Sequence, residues 1–110
     1  MKQKEIWLAD LNPVKGSEQK GIRPVVIISG NVLNTYMPIV IVCPLTSKIK
    51  NYKGNLILIP NLSNCLSEKS EIITFQIRTI TKERLTKKIG QISEEELAEI
   101  KEGLDDILRY

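Results

Sequence analysis

Three polar clusters interrupt or end apolar runs in this 110-residue chain, and each carries side chains able to do chemistry. The first is the loop Lys15-Gly-Ser-Glu-Gln-Lys-Gly-Ile-Arg23, which delivers Arg23 to the edge of an apolar run. The second is Thr46-Ser47, directly after Cys43-Pro44-Leu45. The third is Gln76-Ile-Arg78-Thr79, where the two-residue period of a strand puts Gln76 and Arg78 on one face. Loops at the ends of neighbouring strands converge in space, so the first two clusters are expected to share a cleft. Each cluster also has a plain structural reading. Arg23 could pair with a carboxylate at a sheet edge, Thr46 could cap a turn, and Gln76 with Arg78 could form a solvated strand face.

The chain has no histidine, which removes Ser-His, Cys-His and His-His mechanisms. It has no paired His/Asp/Glu cluster suited to a metal, no phosphate-cradling Gly-x-x-x-x-Gly-Lys-Ser/Thr and no dinucleotide fingerprint. An enzyme built from this chain must therefore work with Arg, Lys, Glu, Asp, Thr, Ser, Gln or Tyr, and no cofactor is implied.

The elements that position these clusters are short. Apolar runs over 24–29, 39–43 and 56–59 read as strands, the first two buried on both faces, with Pro44 and Pro60 ending the second and third. Residues 5–11 mix β-formers with charges and stop at Asn12-Pro13. Residues 31–36 suit one helical turn, 67–70 a turn, 71–81 a strand, 81–85 another helical turn and 88–92 a last strand. The final segment predicts a helix. Ser93 is its N-cap, Glu96 completes a capping box, and Leu97, Ile100, Leu104, Ile107 and Leu108 form the stripe that packs on the sheet. Gly103 inside this helix costs about 1 kcal/mol relative to Ala. Five to seven short strands with a terminal helix predict a mainly β single domain over 1–110, a curled, mostly antiparallel sheet or small barrel.

Bulk properties narrow the class. The net charge is +3, but residues 93–110 carry −5 and residues 1–92 carry +8. A basic body beside an acidic helix is a footprint for a polyanion, though ordinary surface charge gives the same totals. The apolar runs are far shorter than the roughly 20 residues of a membrane span, and no apolar signal core follows the N-terminal charges. A cytoplasmic location without membrane contact is expected. Cys43 and Cys65 lack metal-ligand spacing and are expected to be reduced bystanders.

The motifs taken in order carry a resemblance. Ile6-Trp-Leu-Ala-Asp-Leu-Asn-Pro13, Lys15-Gly-Ser-Glu-Gln19, Arg23-Pro-Val-Val26, Pro44-Leu-Thr-Ser47 and Gln76-Ile-Arg-Thr-Ile80 with Lys82 and Arg84-Leu85 resemble the MazF/PemK-type toxins of bacterial toxin–antitoxin systems. The resemblance spans residues 4–92 and extends to the closing helix. It implies an SH3-like barrel, a symmetric homodimer, sequence-specific cleavage of single-stranded RNA without a metal, and a cognate antitoxin whose C-terminal segment lies across the RNA groove. Arg23 and Thr46 match the family's catalytic pair. Glu18 matches an acidic position that supports the site in some members, and Ser17, Gln19, Ser47 and Gln76 match substrate-contacting positions. Two positions depart from the pattern. Lys4 stands where members often have Gly, a change expected to be harmless, and Phe75 replaces an acidic residue common before the Gln-Ile-Arg motif, bearing on substrate or dimer contacts.

These residue types suit the reaction that the resemblance implies. RNA brings its own nucleophile in the 2′-hydroxyl. Arg23 offers a fixed fork of donors to the non-bridging phosphate oxygens. Thr46 adds a hydrogen bond, and Glu18 can serve as a base if burial raises its pKa. The expected ends are a 2′,3′-cyclic phosphate and a 5′-hydroxyl. Two other readings stay open at this level: a non-catalytic gyrase poison of the CcdB type, which shares this kind of fold, and an inactive RNA-binding relative.

Overall fold

A computed structural model of the chain describes residues 1–12 and 21–110. Among them lie β1 (Glu5–Asp10), β2 (Ile22–Ile27), α1 (Asn31–Tyr36), β3 (Ile39–Thr46), β4 (Ile57–Leu58), β5 (Ser70–Ile72), β6 (Arg78–Thr81), β7 (Leu85–Gln91) and α2 (Glu94–Arg109). Two 3-10 turns, Thr74–Gln76 and Lys82–Arg84, flank β6. Every strand pairing is antiparallel, in the order β4-β5-β3-β2-β1-β7, with β6 alongside β3. The mainly β, curled and antiparallel sheet with a C-terminal helix is the architecture the sequence predicts.

β3 is the hub. One edge pairs with β2, and the other pairs first with β6 at Ile39–Val42 and then with β5 at Leu45–Thr46. Such a strand is covered on both faces, which explains its continuous apolar run. Val26, Cys43 and Leu45 face one way and join Ile6, Leu58 and Ile72 under Leu97 and Ile100 of α2. Val25, Ile27, Val40 and Val42 face the other way, onto Ala9, Leu11, Ile80 and Leu85. Register shifts between Ile6 and Trp7 and between Leu8 and Ala9 interrupt the β1–β7 ladder. Irregularities of this kind increase local twist and help a sheet to curl.

Several boundaries differ from the sequence expectation for physical reasons. Pro44 does not end its strand. It sits in the gap between β6, whose pairing stops at Val42, and β5, whose pairing starts at Leu45, so the missing N–H faces a point where no ladder bond is required. Its carbonyl accepts the Ile73 N–H at 2.8 Å. The single strand expected over 71–81 is two strands split by the turn Thr74–Gln76. Between the Thr46–Glu71 and Val42–Arg78 pairs, three more residues lie on the 71–78 side than on β3, and the turn takes them up. Gln76 is therefore in a 3-10 turn, and the strand period does not relate it to Arg78. The strand expected over 56–59 shrinks to Ile57–Leu58, Ser70 belongs to β5 rather than to a turn, and the last strand starts earlier, at Leu85.

α2 carries the predicted capping box: Ser93 Oγ accepts the Glu96 N–H at 3.1 Å, and Glu96 Oε1 accepts the Ser93 N–H at 2.8 Å. Gly103 is a packing requirement here, since a Cβ would stand 2.6 Å from the Gly54 carbonyl oxygen. Lys4 adopts φ +82°, a left-handed conformation that favours glycine. Two backbone bonds hold it there, Lys4 N–H to the Ile27 carbonyl at 2.8 Å and Ile92 N–H to the Lys4 carbonyl at 2.9 Å. Replacing glycine at this position is thus not neutral for the backbone. No helix among the described residues is long and apolar enough to cross a membrane.

Candidate active site

Arg23 and Thr46 come from different strands and meet in one cleft. Arg23 is half-buried in β2, opposite Ala9 of β1, and Thr46 is the last, buried residue of β3. Thr46 Oγ1 accepts the Lys48 N–H at 3.1 Å, a side-chain turn that bends the chain away from the sheet. The cleft has a volume of about 270 Å³. Arg23, Thr46 and Gln76 line it together with Lys48, Lys50 and Tyr52 of the loop after β3, and Ile73 and Phe75 complete the lining. Arg23 also borders a second cleft of about 140 Å³, and Ser47 lies there, beside Leu66, Glu68 and Ser70.

Of the residues predicted from sequence, Arg23, Thr46 and Gln76 are thus brought together, and Ser47 is one cleft away on the far side of Arg23. Arg78 pairs with Val42 and lines neither cleft. Ser17, Glu18 and Gln19 lie outside the described residues. The side chains that sequence reasoning missed are Lys48, Lys50 and Tyr52, together with the group that holds their loop, Glu71.

Glu71 is fully buried in β5, yet its carboxylate is saturated. Oε1 accepts the N–H groups of Lys50 at 2.8 Å and Asn51 at 2.9 Å. Oε2 accepts the Tyr52 N–H at 2.8 Å and Asn55 Nδ2 at 3.0 Å. Asn51 supplies the conformation this needs, since its φ of +55° lets successive N–H groups converge on one anion. Burial alone pushes the carboxyl pKa up. The hydrogen bonds from Asn55 and from the backbone of residues 50–52 outweigh it and hold the pKa below the usual carboxylate value. Asn55 Oδ1 in turn accepts the Thr74 N–H at 3.1 Å, tying the loop to the turn that carries Phe75 and Gln76. The detectable sequence signal was an acid set among β-formers at Ser70-Glu-Ile-Ile73.

The consequence is a cleft with three cationic side chains, Arg23, Lys48 and Lys50, and a hydroxyl between them. Such a site suits an anion, and its arginine brings a planar set of donors as well as charge. Tyr52 and Phe75 pack edge to face at the same cleft, with ring centroids 5.3 Å apart and planes at 85°. Among the described residues no three His, Cys, Asp or Glu side chains are grouped to hold a metal ion.

Comparison with known proteins places the chain in a family and matches its fold. The family described as PemK-like, MazF-like toxin of type II toxin–antitoxin system matches residues 2–108. Over 106 residues the chain is 41% identical to the Endoribonuclease MazF of Staphylococcus saprophyticus, an alignment covering 96% of this chain and 88% of that protein. The crystal structure of MazF from Deinococcus radiodurans superposes with a TM-score of 0.83 at 24% identity, covering 99% of this chain and 96% of the other. A mycobacterial endoribonuclease in complex with its cognate antitoxin superposes with a TM-score of 0.76 at 19% identity, covering 98% and 92%. At those identities, the two structures speak for the fold.

Proposed function

The chain belongs to the PemK-like, MazF-like toxin family, and from that premise we propose that it is a sequence-specific endoribonuclease acting on single-stranded RNA. The observation that carries the reading is the convergence of Arg23 and Thr46, from two strands, on one open cationic cleft. A polyanion-binding module needs only positive charge, whereas a phosphoryl-transfer site also needs donors near the phosphate; the arginine and the hydroxyl that line this cleft together support the second reading.

In the proposed reaction the RNA 2′-oxygen attacks the adjacent phosphorus while the bond to the 5′-oxygen breaks. The guanidinium of Arg23 binds the non-bridging oxygens and stabilises the charge that grows on them. The Thr46 hydroxyl donates to the same phosphate and orients the attacking group. Arginine stays charged and is a poor base; Glu18, outside the described residues, is the candidate to take the 2′-proton or to support the site. The leaving 5′-oxygen takes up a proton from water, giving 2′,3′-cyclic phosphate and 5′-hydroxyl ends. Because the substrate supplies the nucleophile, no step calls for a metal or other cofactor. Gln76, Ser47, Ser17 and Gln19 are assigned to contacts with the RNA. The protein is a cytoplasmic toxin that inhibits translation and growth, acts as a homodimer and is neutralised by a cognate antitoxin; the antitoxin complex of the mycobacterial endoribonuclease supports that last point.

The test is incubation of the purified protein with a long single-stranded RNA in EDTA, wild type beside Arg23→Ala, with the cut sites and end groups mapped. Discrete cuts bearing cyclic phosphate, absent in the variant, are expected. Products with 3′-hydroxyl and 5′-phosphate ends, or cleavage of DNA, would overturn the 2′-hydroxyl mechanism, and a folded wild type that leaves RNA intact would overturn the nuclease reading.

A further inference from the structure

Phosphate chemistry accounts for Arg23, Thr46 and the lysines of the cleft, but not for its two aromatic rings. Tyr52 and Phe75 are each 48% exposed. Rings left half in water keep apolar area available for contact, and here they stand against each other at a right angle. The corner they form lies in the same cleft as Arg23 and Thr46, with Lys48 and Lys50 beside it.

Both rings are held by the same network. Tyr52 is fixed through its backbone N–H on Glu71, and the turn bearing Phe75 is fixed through the Thr74 N–H on Asn55, itself bound to Glu71. The backbone under both rings is therefore fixed, and the rings rest edge to face on each other. Flat apolar faces beside phosphate-binding cations are the combination that seats an unpaired nucleobase: the ring takes the π-face of the base, and the cations take the phosphates on either side. A simple cover for the core would bury its rings, and these are not buried.

We propose that the Tyr52–Phe75 corner is a nucleobase-stacking subsite, seating one unpaired base of the RNA next to the phosphate held by Arg23 and Thr46. The inference rests on the nuclease reading and adds to it the group that sets where along the strand the reactive phosphate comes to lie. Every base has a π-face, so stacking here contributes affinity and register while leaving the identity of the base to polar contacts.

The experiment compares wild type, Phe75→Ala, Tyr52→Ala and Phe75→Trp on one RNA substrate, with circular dichroism to verify folding. Each alanine variant should raise KM about tenfold with kcat retained, and Phe75→Trp should restore KM. The new indole also reports binding directly. Against wild type, which carries only Trp7, its fluorescence should be quenched by an oligoribonucleotide with a 2′-deoxy residue at the cut, and not by the same strand made abasic next to it. Wild-type KM in Phe75→Ala and Tyr52→Ala, or fluorescence unmoved by a bound strand, would overturn the subsite while leaving the nuclease standing. A wild type that neither binds nor cuts RNA would remove both.

Discussion

The backbone N–H of Tyr52 donates to Glu71 Oε2 at 2.8 Å, joining the loop after β3 to the strand that pairs with the end of β3. The bond is charge-assisted and part-buried, and it is one of four that converge on a single carboxylate. Thr46 sits opposite Glu71 in the β3–β5 ladder. The residue that ends one strand in the cleft thus has, as its register partner, the residue that shapes the cleft wall.

Replacing Glu71 with Gln keeps the size of the side chain but turns one acceptor into a donor facing donors. A loss of about 1–3 kcal/mol is expected in urea unfolding, with faster hydrogen exchange at the amides of Lys50, Asn51 and Tyr52. If the exchange of those amides is unchanged, the carboxylate is not the anchor of the loop.

Glu5 predicts an acid-sensitive term in stability. Burial pushes its carboxyl up, but the Lys2 N–H at 2.9 Å, the Trp7 indole at 3.0 Å and the Lys88 ammonium at 3.1 Å more than offset this and lower its pKa to about 2. A depressed pKa means that the folded state binds the proton less readily than the unfolded chain does. The stabilisation is complete above the ordinary value of 4.5 and is lost as pH falls toward 2. At neutral pH it amounts to about 3 kcal/mol. The gap in unfolding free energy between wild type and Glu5→Gln should narrow across that acid window; a gap independent of pH would refute the assignment.

Lys4 combines a costly backbone with a favourable side chain, whose ammonium meets Glu94 Oε1 at 2.7 Å. Alanine and glycine both remove the ion pair, but only glycine relieves the left-handed φ. Lys4→Gly should therefore melt above Lys4→Ala, by about 1 kcal/mol in stability. Equal melting of the two variants would show that the conformation carries no strain.

Arg23→Ala should lower kcat by about 10²–10³. Arg23→Lys should recover only part of this, because an ammonium lacks the planar fork. Full activity in Arg23→Lys would mean that charge alone suffices at this position.

Much of this was legible in the sequence because it rests on local pattern. The capping box of α2 needs only Ser93 and Glu96 at the right spacing, and burial of β2 and β3 on both faces follows from their unbroken apolar runs. The convergence of Arg23 and Thr46 followed from strand-end positions. What escaped depended on partners distant in the chain. The break between β5 and β6 exists because two separate stretches share one edge of β3, and no local feature of residues 71–81 announces that. Glu71 looked like an ordinary strand residue because its donors lie 16 to 21 residues earlier. The left-handed backbone at Lys4 was hidden for the same reason, being imposed by Ile27 and Ile92.

The Glu71 anchor grips mostly main chain: three of its four bonds go to backbone N–H groups, whatever side chains those residues bear. Mutational drift at positions 50 and 52 can therefore rewrite the wall of the cleft without unshaping it. Scaffold and lining are separately heritable in this loop: the side chains that face the cleft can change while one inherited carboxylate keeps their spacing.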